Sequence, residues 1–456
     1  MPLLNFDPSN RRCVKGQGNE SQRNNHVKQT FQIYRCYYIE TPFALGGVQP
    51  SAIMISRIFI LVPSCVYAAS TPWLGKIELT HNPSYNYHSH YLRSLARYNI
   101  ASSLPHANNP ILPIDSNVSA PISTAEASDG FYLTQITIGT GVPPQTFNAD
   151  FDTGSADVWA LSTLLTNDSR GTHNLYDHTH SPSAVLLPGQ TWNDAFQGTT
   201  EIGGIVFSDT LNLGGIVIPN QAIQAATQAI PALIDGSRDA FVGLALGRNG
   251  ITPGQFPSVI DNFVHSSAQE PVFTALLTRV TEAPGFWTFG YINNTLSAPG
   301  IQYNPIVTID PNAPGQWEVK SEYAILNGIP IARKGNTAVV DTGTPGILLE
   351  GSIVEDIYSF LHGQFDAAAA GWVFPANLTE FPTLTLPAGT TNVTLTASDF
   401  ASFTSSPGMF FGTIQSRGDS KVDVFGHPWF NNIYAVFDLG ITGPEIVRFG
   451  IVPRTS

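Results

Sequence analysis

The chain is 456 residues long, with 34 acidic against 21 basic side chains and a formal net charge of −13. The imbalance is local: residues 1–122 hold 10 Lys and Arg against 5 Asp and Glu, whereas residues 123–456 hold 11 against 29. So acidic a body excludes nucleic acid and anionic membrane as partners, and it suits work in acid, where fewer carboxylates repel one another.

Residues 1–53 are polar and patternless and stay unassigned; translation is expected to begin at Met54, with the preceding residues a gene-model extension. Residues 54–68, MISRIFILVPSCVYA, read as a signal peptide. They combine Arg57, an apolar run too short to span a bilayer, and Val66-Tyr67-Ala68 as small-residue cleavage context. A secreted, extracellular protein is the expectation. Residues 69–122 are mildly basic; YLRSLARY has a weak helical period, and the Pro-, Ser- and Asn-rich stretch after it reads as a linker.

From Phe131 onward short alternating runs predict strands: FYLTQITIG, GGIVFSDTLNLGGIVI, FWTFGYI, TLTLPAGTTNVTLT and NIYAVFDLG. Helical candidates are short, such as GSIVEDIYSFLHGQF. Low charge (12%) with 40 Gly and 34 Pro agrees with a mostly β chain, and its length allows two lobes. No long apolar run closes the C-terminus, so no membrane anchor is expected. All three cysteines (Cys13, Cys36, Cys65) precede the acidic body, which therefore forms no internal disulfide. The sequons at Asn117, Asn167, Asn293, Asn377 and Asn392 agree with a secreted glycoprotein.

The informative feature is a motif that occurs twice. NADFDTGSADVWA (148–160) and NTAVVDTGTPGILLE (336–350) each run from an apolar segment into Asp-Thr-Gly, then a hydroxyl residue and another apolar run. The aspartates, Asp152 and Asp341, are 189 residues apart. Each copy is followed later by an apolar-apolar-Gly element, Phe241-Val242-Gly243 and Val424-Phe425-Gly426. Two homologous halves, each bringing one carboxylate to a shared centre, account for this. Two close carboxylates cannot both ionise easily and so share a proton. The ionised one can deprotonate water while the protonated one polarises a carbonyl, with no metal, cofactor or covalent intermediate.

With its Asp-Thr-Gly pair, Trp159 seven residues after Asp152, and the runs AFVGLAL, PVFTALL and FGTIQSRG, the sequence resembles the pepsin-type aspartic proteases, particularly the secreted fungal group, over about residues 76–456. The resemblance implies two mostly β, pseudo-symmetric lobes, 123–298 and 299–456, with the active-site cleft between them. It implies a monomeric endopeptidase acting on extended polypeptides at acid pH, with residues 69–122 as propeptide and linker. Asp152 and Asp341 would hold the catalytic water. Thr153, Gly154, Ser155, Thr342, Gly343 and Thr344 would support them, and Phe196, Gln197, Gly198 and Trp159 would form the flap and substrate wall. Arg97 and Tyr98 lie where the family's propeptide places a cation and a tyrosine on the dyad.

Five positions depart from the family pattern. Phe196 replaces the flap tyrosine whose hydroxyl meets the tryptophan, with Gln197 where glycine is expected. Gly198 stands where some fungal members carry an aspartate that favours basic substrate side chains. Pro345 stands where a hydroxyl usually supports the second carboxylate, and His427 where aspartate is common. These departures keep open a second reading, a weak or inactive homologue that binds peptides or proteins. A two-carboxylate glycosidase leaves the duplicated motif unexplained. His173, His178 and His180 read as a solvated loop rather than a metal site, and motifs for serine hydrolases, zinc proteases and nucleotide binding are missing.

Overall fold

Short runs of β-branched and aromatic residues between glycine- and proline-rich turns commit this chain to sheets. A computed structural model describes residues 75–81, 87–98, 100, 132–166, 170–196, 199–230, 237–246, 256–266, 270–307, 315–440 and 447–454, with 75, 81, 195, 196 and 199–201 described by backbone alone. The expected N-terminal extension, signal peptide and linker from 101, together with all three cysteines, Asn117, Asn167, Gln197 and Gly198, lie outside these residues. What is described falls in one unit, Pro72–Ser456.

The basic leader supplies a strand, β1 (Gly75–His81), and a helix, α1 (Tyr87–Arg97). The helix starts earlier than YLRSLARY alone indicates, because Tyr87, Tyr91, Leu92 and Leu95 recur at helical spacing and are all buried. The acidic body then runs through β2 (Tyr132–Ile138), β3 (Gln145–Asp152), β4 (Val158–Leu161), β5 (Val185–Phe196), β6 (Thr199–Leu213), β7 (Ile216–Ala229) and β8 (Ala240–Gly243). Helix α2 (Val259–Ser266) leads into β9 (Val272–Leu276) and β10 (Phe286–Phe289).

The second half contains β11 (Gln302–Pro305), β12 (Glu318–Lys320), β13 (Tyr323–Leu326), β14 (Ile329–Ala332), β15 (Thr337–Val340) and β16 (Ile347–Leu349). After α3 (Gly351–Phe360) come β17 (Gln364–Asp366), β18 (Gly371–Pro375), β19 (Leu384–Ala388), β20 (Thr391–Leu395), β21 (Ala401–Ser406) and β22 (Met409–Gly412). The chain closes with β23 (Ile414–Ser416), β24 (Val422–Phe425), α4 (His427–Phe430), β25 (Ile433–Asp438) and β26 (Arg448–Pro453). The result is a mostly β protein with several sheets, in keeping with the two-lobed pepsin-like fold.

The duplication read from the sequence has a topological counterpart. Each Asp-Thr-Gly turn joins two strands, and the later apolar-apolar-Gly strand is wedged between them. β8 runs parallel to β3 and antiparallel to β4; β24 runs parallel to β15 and antiparallel to β16. One large sheet ties the halves together, in the order β11-β26-β25-β9-β10-β1-β2-β3-β8-β4-β7-β6-β5. Within it β1 is an internal strand, with Gly75–Glu78 paired to β10 and Leu79–His81 to β2. Beneath lies a core in which Phe273 stacks on Phe437 at 4.5 Å and the buried Trp317 indole N–H donates to Leu244 O at 2.9 Å. Burying side chains of this size stabilises the fold by about 1.5–3 kcal/mol each.

Candidate active site

Both aspartates sit at the carboxyl end of their motif strand and are fully buried. Their loops are locked by reciprocal bonds. The Thr153 N–H donates to Thr342 Oγ1 and the Thr342 N–H to Thr153 Oγ1, each at 3.0 Å. The two hydroxyls pass their own protons on, to Val340 O (2.9 Å) and Phe151 O (2.8 Å). No polar atom of the cross-link is left unpaired, so it rigidifies the junction instead of costing desolvation.

Each carboxylate receives the same donors. Gly154 N–H donates to Asp152 Oδ1 and Gly343 N–H to Asp341 Oδ1, both at 2.7 Å. The Ser155 hydroxyl donates to Asp152 Oδ2 at 3.0 Å, and the Thr344 hydroxyl to Asp341 Oδ2 at 2.6 Å. A side chain on either glycine would land on the opposite carboxyl group, since a Cβ at Gly154 meets Asp341 and one at Gly343 meets Asp152. Glycine is required here for close approach. Thr344 also resolves the expectation about Pro345: the hydroxyl absent at 345 leaves Asp341 with a hydroxyl donor, because position 344 already provides it.

The two carboxyl groups are hydrogen-bonded to each other and titrate as a pair. Burial, reinforced by the Asp341 charge, holds Asp152 well above the usual carboxylate range despite the opposing Arg97. Burial pushes Asp341 the same way, yet Arg97 and the hydrogen bonds from Asp152, Thr344 and Tyr98 hold it below that range. The two carboxyl groups thus favour holding one proton between them, the sharing general to aspartic proteases.

Arg97 and Tyr98, at the end of α1, occupy the centre. Arg97 places Nη2 2.8 Å from Asp152 Oδ2 and Nη1 3.3 Å from Asp341 Oδ2. The Tyr98 hydroxyl donates to Asp341 Oδ2 at 2.8 Å.

Around the pair, Asp150, Phe241 and Trp159 form one row across β3, β8 and β4. Trp159 stacks on Phe241 at 5.6 Å, and the Arg238 guanidinium lies 5.2 Å above the Trp159 ring while approaching Asp150 at 3.4 Å. This buried ion pair escaped the sequence reading, although an acid two residues before Asp152 shares its strand face. Burial, only partly offset by Arg238, pushes Asp150 up to about 7. His427 is buried, donates from Nε2 to Thr342 O at 2.7 Å and meets the Tyr132 ring edge-on at 5.2 Å. It therefore touches the second motif loop through the backbone.

The remaining expected residues are dispersed. Phe196 ends β5, paired with Thr199 at the start of β6. Asn293 is half-buried, with its side-chain oxygen capping the turn at Thr295 and Leu296, whereas Asn377 and Asn392 are exposed. His173 faces Asp239 at 3.2 Å, His180 faces Asp177 at 2.6 Å and His178 stacks on Phe207. Among the described residues no cluster of three or more His, Cys, Asp or Glu is placed to hold a metal ion, and no helix is long and apolar enough to cross a membrane.

This geometry agrees with comparison to known proteins. The model of the eukaryotic aspartyl protease family matches residues 131–446. The chain belongs to that family and is an aspartic-type endopeptidase. Endothiapepsin from Cryphonectria parasitica is 31% identical over 337 residues, covering 73% of this chain and 78% of that protein. Penicillopepsin-1 from Penicillium rubens is 30% identical over 362 residues, 78% and 85% respectively. A probable aspartic-type endopeptidase from Arthroderma benhamiae is 32% identical over 330 residues, 69% and 74%.

Proposed function

We propose that this chain is a secreted endopeptidase, made as an inactive precursor, that hydrolyses extended polypeptides in acid with Asp152 and Asp341 as catalytic residues. The observation that carries the reading is the Arg97 guanidinium bridging both carboxylates. It fills the place where water and a scissile carbonyl would sit, and it belongs to the basic leader rather than the acidic body. Falling pH protonates carboxylates of the body, weakens their attraction to that leader and frees the centre. A water between the carboxylates then loses a proton to the ionised one as its oxygen attacks the peptide carbonyl. The protonated carboxyl donates to the carbonyl oxygen, and the amine leaves with a proton.

The departures at Phe196 and Pro345 favour a binding-only homologue less than the complete donor set on both carboxylates favours chemistry. Incubating the acidified full chain with denatured protein tests this. Wild type should cut the substrate and lose residues 69 to about 122, as implied by the position of the linker, and Asp152→Asn should do neither. An Asp152→Asn chain that matures at the wild-type rate in pure form overturns self-processing, and a wild type inert at every acid pH overturns catalysis.

A further inference from the structure

The end of α1 remote from the dyad rests on an aromatic groove of the second half. Phe411, fully buried on β22, is stacked by Phe403 at 5.1 Å and meets Tyr91, His88 and Tyr87 at 5.2, 5.9 and 6.0 Å. Two successive carbonyls line the rim. His88 Nε2–H donates to Ala369 O at 2.8 Å and the Tyr91 hydroxyl to Ala370 O at 3.0 Å. The loop that presents them is built for the purpose. Asp366 Oδ1 accepts from the Ala368 and Ala369 N–H groups at 2.9 and 3.3 Å, and Ala370 is held at φ +49°, a left-handed conformation costly for alanine. Position 371 must be glycine, since a Cβ there would strike the Phe411 ring.

We infer that, once α1 has left, this groove is a specificity site for an aromatic substrate side chain carrying a donor at its end, tyrosine above all. The inference rests on the protease reading above and names the substrate feature it selects. α1 shows what the groove accepts: ring edges against Phe411, donors on the two carbonyls. Tyr91 lies six residues from Arg97, about 9 Å along a helix. An extended peptide rising about 3.3 Å per residue reaches the groove with a side chain about three residues from the scissile bond. Leucine would cover Phe411 but leave the Ala370 carbonyl without a donor in a drying pocket, and phenylalanine would do the same. Preference for tyrosine over phenylalanine should therefore be about fivefold.

The test uses the chain processed by acid, with two readouts. Cleavage of a randomised peptide mixture, read by mass spectrometry, should enrich tyrosine over phenylalanine about fivefold at one position roughly three residues from the cut. Phe411→Leu should reduce the enrichment of aromatic over leucine side chains there to about twofold or less. Independently of activity, a fluorescent peptide of residues 87–98 should bind about fivefold tighter than its Tyr91→Phe counterpart. Cleavage with a flat profile at that distance, together with equal binding of the two peptides, overturns the groove and leaves the protease standing. Discrimination between the peptides on chain whose leader a different protease has removed, without cleavage of any substrate, keeps the groove and removes the protease.

Discussion

Replacing Arg97 by leucine keeps an apolar stem at the end of α1 and removes the cation that touches both carboxylates. Stripping one member from a buried ion pair typically costs 3–5 kcal/mol. Here the carboxylates are fully buried but about a third of the Arg97 side chain (32%) is exposed, which places the loss at about 2–3 kcal/mol. At about 1.4 kcal/mol per decade, the leader should be released roughly 30- to 150-fold more readily. The pH dependence follows from Asp341, whose pKa is held down against burial by Arg97 and its hydrogen-bond donors. A depressed carboxylate stabilises the bound state above its free pKa, and that contribution is lost as pH falls through the depressed value. Without Arg97 the pair takes its proton at higher pH, so the release midpoint should move upward. The assay is a pH jump on the purified full chain, sampled on gels for loss of the leader, with Arg97→Lys as a charge-retaining control expected to fall between. If Arg97→Leu matures at the wild-type rate with the wild-type midpoint, the guanidinium is not what closes the site.

Three further outcomes are expected. His90 sits half-buried on α1 with Arg238, Arg93, His427 and Arg97 near it, and burial, then those cations, hold its pKa well below normal; binding of the leader should weaken below the free histidine pKa, so His90→Asn should lower the release midpoint and reduce proton uptake by about one, read as the slope of log rate against pH. Thr344→Val removes the hydroxyl on Asp341 Oδ2; losing a donor to a charged acceptor should raise the Asp341 pKa, move the acid limb of the kcat/KM profile to higher pH and cost about tenfold in rate, whereas a superimposable profile would contradict it. Asp150, pushed up to about 7 from an ordinary 3.8, favours the folded state below the unfolded pKa and loses that advantage as pH rises through 7. Asp150→Asn should flatten a decline of about 3–4 kcal/mol between pH 4 and 7 in denaturant midpoints, and parallel curves for the two chains would refute it.

The dyad was legible in the sequence because its chemistry is local: Asp-Thr-Gly plus a hydroxyl carries every donor each carboxylate needs, and duplication supplies the second copy. The wedge strands were legible for the same reason, as short apolar runs ending in glycine. What stayed hidden depends on which strands meet. Asp150 and Arg238 are 88 residues apart and become a pair only through the register of β3 on β8. Lys76–Thr80 alternates polar and apolar residues over only five positions, and nothing in that short run says which strands it joins; its place is set by the edges of β2 and β10. The tyrosines of α1 gain a partner only through Phe411, more than 300 residues later in the chain. The concern over Pro345 arose from comparing one position with a family pattern, when Thr344 next to it carries the relevant hydroxyl.

Asp341 Oδ2 accepts from Thr344, Tyr98 and Arg97 at once. If the proposed function holds, one oxygen atom serves two traits, the acidity at which the leader lets go and the acidity at which peptide bonds are cut. A substitution that retunes this carboxylate shifts both, so selection acting there cannot delay maturation without also moving the working range of the mature protein. Independent adjustment has to come from contacts that never reach the carboxylates, such as the hold of β1 on its two neighbours and the seat of Tyr91 on Ala370. Lineages of this chain exposed to different ambient acidity should therefore vary first in the leader, and last at the turn that follows Asp341.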